Sequence, residues 1–142
     1  MLGADNSRQP ASEPWMTVSQ RTKGQIEAAI TEAVTQFERE YLGRGPKEAR
    51  TFIVEDMVLI RLKGILSPAE RQLSREPGGV ELIKQMRTRL IESSNEELTA
   101  LIEAETGVAV ATMHTDIRAR TGERIFVFGL ADNLEARLTQ RV

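Results

Sequence analysis

The chain has 142 residues, 40% of them hydrophobic, enough for one domain with a real core and too few for two. Its 21 acidic and 19 basic side chains give a formal net charge of −2, so no broad cationic field exists to gather nucleic acid or anionic lipid. With no cysteine, disulfides, thiolate metal sites and thiol nucleophiles are excluded.

Residues 1–19 carry Ser7, Pro10, Ser12 and Pro14 among polar neighbours and no sustained period, and read as a flexible N-terminal arm. Its one anchor is Trp15, expected to fold back on its own domain in preference to docking on a neighbour. No run approaches the roughly 20 apolar residues of a transmembrane helix, and the amino terminus lacks the basic segment and apolar block of a secretory signal. The expectation is a cytoplasmic protein, peripheral at a membrane only through a partner. Ile26, Ala29, Ile30, Ala33, Val34, Phe37 and Tyr41 then recur at spacings of three and four, an amphipathic helix from about Ser19 to Leu42. Gly43 stands where such a helix exits through a left-handed residue, and Pro46 prevents re-entry, so Gly43-Arg44-Gly45-Pro46 reads as a stop. The alternative is an anion cradle using Arg44, Lys47 and Arg50, which the negative pole of the preceding helix opposes.

Thr51-Phe52-Ile53-Val54 and Met57 to Leu62 read as a hairpin turning at Glu55-Asp56. Alternation puts Phe52, Val54, Met57 and Leu59 on one face and Ile53, Val58, Ile60 and Leu62 on the other, so both faces are apolar and both need cover. Ser67-Pro68-Ala69-Glu70 has the form of a capping box opening a short helix to about Arg75. Pro77-Gly78-Gly79 breaks the chain. Ser94-Asn95-Glu96-Glu97 has the form of another capping box, which argues for two helices joined at Ser93, but Leu90, Ser94, Leu98 and Leu101 keep one helical phase across it, predicting a single bent helix from about Gly79 to Thr106, stopped by Gly107. Such a helix, on the order of 40 Å long at 1.5 Å per residue, overshoots one small sheet.

A second hairpin is expected from Val108–Ile117 and Arg124–Leu130, with Gly122 at its tip. The whole is an α+β domain over residues 20–134: a four-stranded antiparallel sheet from two hairpins, an N-terminal helix and a long central helix. Residues 135–142 are left as a C-terminal tail. Two doubly apolar hairpins and an overlong helix predict a homodimer or higher homo-oligomer.

The chemistry on offer is sparse. His114 is the only histidine, and Asp116, two residues on, shares its strand face, a pair able to move a proton with Arg118 or Arg124 holding an anionic substrate. Charged residues on the outer face of a hairpin are more often ion-paired than catalytic, so a non-enzymatic protein is expected, with no cofactor. One imidazole among scattered carboxylates does not make a transition-metal site, and neither nucleotide-binding fingerprint is present. Two binding readings remain: a charged partner-binding rim of His114, Asp116, Arg118, Arg120 and Arg124, and a small-anion or nucleotide-sensing pocket built from Arg44, Arg50, Arg118, Arg120 and Arg124.

Tyr41 through Arg50, Leu62-Lys63-Gly64-Ile65-Leu66-Ser67-Pro68-Ala69-Glu70, Thr106-Gly107-Val108, His114-Thr115-Asp116-Ile117 and Thr121-Gly122-Glu123-Arg124 occur in the order of the signature segments of MpsC-like proteins. From about Gln25 to Leu134 the chain resembles that family. The resemblance implies a soluble accessory component of a sodium-translocating, membrane-potential-generating or inorganic-carbon uptake system, with membrane transporter subunits as partners. None of these segments is a catalytic signature.

Overall fold

In the computed structural model, residues 20–139 are described; Trp15 lies outside them. Thr22 opens the first helix with a capping box, its hydroxyl accepting from the Gln25 amide while the Gln25 side chain accepts from the Thr22 amide. Helix α1 therefore begins at Lys23, later than the apolar period alone suggests, and runs Lys23–Leu42. It ends as expected: Gly43 is left-handed at φ 87° and donates to the Arg39 carbonyl at 3.2 Å.

Strands β1 (Glu48–Val54) and β2 (Met57–Lys63) form the first hairpin. Its turn holds Glu55 at φ 55°, left-handed without being glycine. Helix α2 (Pro68–Leu73) starts on the anticipated Ser67–Glu70 capping box. Strands β3 (Val110–Arg118) and β4 (Glu123–Leu130) form the second hairpin, with Gly122 left-handed in its turn. All neighbours are antiparallel and the order is β1-β2-β4-β3, so the two hairpins join through β2 and β4.

Two expectations need correction. The single bent helix is two helices, α3 (Gly79–Ser93) and α4 (Asn95–Thr106), separated by Ser94 at φ −111°, ψ 13°. Buried positions Ile83, Arg87, Ile91, Ser94, Leu98, Ile102 and Thr106 keep spacings of three and four through the break, which is why the sequence period runs on across it. No capping box marks the joint, because the Ser94 side chain makes no cap hydrogen bond. The segment assigned to a tail holds all but the first residue of helix α5 (Leu134–Thr139), whose Leu134 and Leu138 are buried. Glu135 ties it down, with one carboxylate oxygen accepting from the Glu55 amide and the other from Lys23, both at 2.8 Å.

One sheet face carries Ile53, Val58, Ile60, Leu62, Phe126, Phe128 and Ile117, all buried with Ile26, Ile30 and Val34 of α1 and Leu98 and Ile102 of α4. Fully burying side chains of this size is worth about 1.5–3 kcal/mol each before entropy is counted, so this layer dominates stability. A helical glutamate caps one amide on each edge strand. Glu27 of α1 accepts from the Ile53 amide at 2.8 Å, and Glu103 of α4 from the Val110 amide at 2.9 Å.

Candidate functional site

The second sheet face is left partly open. Pairing lines its residues into rows: Val54, Met57, Gly129 and Thr112; then Phe52, Leu59, Val127 and His114; then Arg50, Arg61, Ile125 and Asp116; then Glu48, Lys63, Glu123 and Arg118. Phe52 and Val54 are 41% and 40% exposed, and Met57, Leu59, Ile125 and Val127 are half-buried. An apolar block thus grades along the strands into charge. Arg50 lies over the Phe52 ring at 5.4 Å, and Arg61 pairs with Glu123.

The covered face contains an ionic cluster that composition does not announce. Glu38 of α1, Arg87 of α3 and Arg124 of β4 are each no more than 2% exposed. Arg87 grips Glu70 through two hydrogen bonds of 2.7 and 2.9 Å and also donates to the Ile65 carbonyl at 3.0 Å. Glu70 therefore serves as both the cap of α2 and the counter-ion of α3. Burial alone would raise its pKa, but the hydrogen bonds from Arg87 and Ser67 outweigh it and hold the carboxyl below its usual range. Glu38 goes the other way: burial pushes it up to about 7, against the pull of Arg87 and Arg124. Burial likewise brings Arg124 down to about 10, opposed by Glu38. Arg124 donates to the Thr115 hydroxyl at 2.7 Å, while its Nε and Nη2 and the Glu38 Oε2 have no hydrogen-bond partner among the described residues.

A cleft of about 350 Å³ between α3 and β3 reaches this cluster, with Thr88 and Glu92 on one wall, His114 and Asp116 on the other, and Arg124 contributing to its lining. Asp116 is held below the usual carboxylate range by the Ile117 amide and by Lys84, whose Nζ is 3.4 Å away. Among the described residues no group of three or more His, Asp or Glu is placed to hold a metal ion.

Residues 22–132 match the family described as the Na+-translocating membrane potential-generating system (MpsC). The chain belongs to the MpsC family. It is 45% identical over 118 residues to the uncharacterized protein YbcI of Bacillus subtilis strain 168, covering 83% of this chain and 95% of that protein. The uncharacterized protein YrhF of the same strain is 29% identical over 100 residues, 70% of this chain and 82% of that one. No solved structure matches it. No described helix is long and apolar enough to cross a membrane.

In this MpsC-family chain the residues selected from sequence separate into distinct places. His114, Asp116 and Arg124 all border the cleft at the β3 edge, but strand alternation sends the first two to the open face and Arg124 to the covered one. Arg124 is not part of a solvated rim: its side chain points to the covered face, because it pairs in register with Leu62 and Ile117. Arg118 and Arg120 remain exposed beside the β3–β4 turn. The five arginines of the anion-pocket reading do not converge, since Arg50 and Arg118 occupy opposite edge strands, three strand spacings or roughly 14 Å apart. Arg44 sits in the irregular link with Gly45 and Pro46, consistent with its place beside a stop. Gly107 is left-handed at φ 72° and closes α4. Glu38, Glu70 and Arg87 were not among the sequence candidates. Their signal was present: Glu38 falls four residues after Val34, and Arg87 midway between Ile83 and Ile91, charges standing in the apolar phase of a helix.

Proposed function

We propose that this chain is a non-catalytic accessory or regulatory protein that acts by binding a protein of a membrane ion or inorganic-carbon transport system. The observation that carries the binding reading is the outer stripe of α3. Leu82 and Met86 are 56% and 46% exposed, and Leu90, four residues further on, is half-buried. This stripe, bordered by Arg89 and Glu92, has the composition of a protein contact, apolar in the middle and charged at the rim. The transport connection is supported by the family's description. Acting from the cytoplasmic surface through that partner is part of the same proposal. Capture from native membranes in mild detergent tests it. The full chain is expected to recover a transport subunit and the folded Leu82→Asp/Met86→Asp variant to lose it; equal capture by both, or recovery of soluble enzymes alone, overturns the reading.

A second reading, recognition of a small anion, is favoured by the cleft between α3 and β3, whose lining includes the buried Arg124. Saturable, salt-sensitive binding of bicarbonate or phosphate, abolished by Arg124→Met, is its expected signature.

A further inference from the structure

We infer that the open face of the sheet is a self-association surface on which a second copy of this chain seats, with the two-fold axis running along the strands between β2 and β4. The need for cover comes from the apolar block. Phe52, Val54, Met57, Leu59, Ile125 and Val127 are contiguous on three neighbouring strands and keep substantial access to water.

The choice of occupant comes from the charges. A two-fold parallel to the strands leaves each row at its own level and exchanges β1 with β3 and β2 with β4. Arg50 then faces Asp116, Glu48 faces Arg118, and Lys63 faces Glu123, every facing pair of charges being opposite in sign. In the apolar rows Leu59 faces Val127, and Phe52 faces His114. Arg61 faces Ile125, but its charge is already met by Glu123 within the chain. A two-fold lying across the strands instead reverses the rows, setting Val54 on Glu48 and Met57 on Lys63, apolar against charged. The distribution is thus antisymmetric about the middle of the sheet, which is what an isologous contact requires and what a foreign partner does not. Two sheets stacked this way lie about 10 Å apart, within about 30° of parallel. Of the existing contacts, Asp116 holds Lys84 at 3.4 Å in an exposed pair and Glu123 is already bound by Arg61, so Lys63 shares that carboxylate, while among the described residues neither Glu48 nor Arg118 has an ion-pair partner.

This goes beyond the partner reading and uses no residue of the α3 stripe, so the two fail separately. The test is sedimentation equilibrium of the full chain across micromolar concentrations. The expected mass is twice the 15.9 kDa of one chain. Glu48→Lys and Arg118→Glu, each introducing two like-charge contacts per dimer by symmetry, are expected to weaken association about tenfold or more with unchanged circular dichroism. An equimolar mixture of the two variants is expected to regain dimer, because the reversed charges again face opposite ones. A chain that stays monomeric, including one whose face is covered by its own residues before 20, overturns the inference. So does a dimer indifferent to both reversals, or a mixture no tighter than either variant alone.

Discussion

Glu38→Gln isolates the energetic consequence of burying a carboxyl between two arginines. Burial leads, raising the Glu38 pKa from 4.5 to about 7. Its folded value thus stands above its unfolded one, so between these two values the folded state holds the extra proton and stability falls as pH rises. A rise of that size, at 1.36 kcal/mol per unit, amounts to about 3 kcal/mol lost across the window from roughly pH 4.5 to just above 7. Glutamine keeps the shape and cannot ionise. The stability of Glu38→Gln relative to the native chain is therefore expected to improve by roughly 2–3 kcal/mol between pH 5 and pH 8. Urea unfolding of both proteins at the two values measures it, since groups common to both cancel in the difference. A pH-independent difference would show that Glu38 remains ionised throughout, its attraction to Arg87 and Arg124 having outweighed burial.

Gly43→Ala is expected to cost about 1 kcal/mol through backbone strain alone, since Gly43 has φ 87° and nothing lies within 4 Å of an added methyl, whereas Arg44→Ala should leave the denaturation midpoint nearly unchanged. Arg124→Met is expected to cost about 3 kcal/mol or more at pH 8, because it removes a cation facing buried Glu38 and the donor to Thr115; Arg120→Ala, on the exposed turn, should stay within about 0.5 kcal/mol by the same assay.

The fold could be read from local signals wherever one residue type has one physical use. Gly43, Gly107 and Gly122 all occupy left-handed positions, and Ser67 with Glu70 forms the capping box that their spacing announces. The turn at Glu55-Asp56 and the four-stranded antiparallel sheet follow from alternation. Legibility fails where the period is preserved but the geometry is not, as at Ser94, whose buried side chain keeps the helical phase while its backbone leaves it. It fails again where long-range packing decides a side chain's fate. Arg124 looks like its neighbours Arg118 and Arg120 in the sequence, and only the pairing of β4 between β2 and β3 turns it inward toward Glu38. For the same reason the cleft that Arg124 lines had no linear signature, its walls being drawn from α3 and β3.

Capping an amide on each sheet edge with a glutamate carried on a helix has a consequence for the route to the native state. An uncapped edge amide is a template for another chain's strand, and here Ile53 and Val110 find acceptors only once α1 and α4 have docked. At these two amides the finished protein offers nothing to an adding strand, while a chain whose hairpins form ahead of its helices leaves them open. The hazard belongs to the moments of folding: slow refolding at high concentration favours aggregates, and conditions that speed helix docking suppress them.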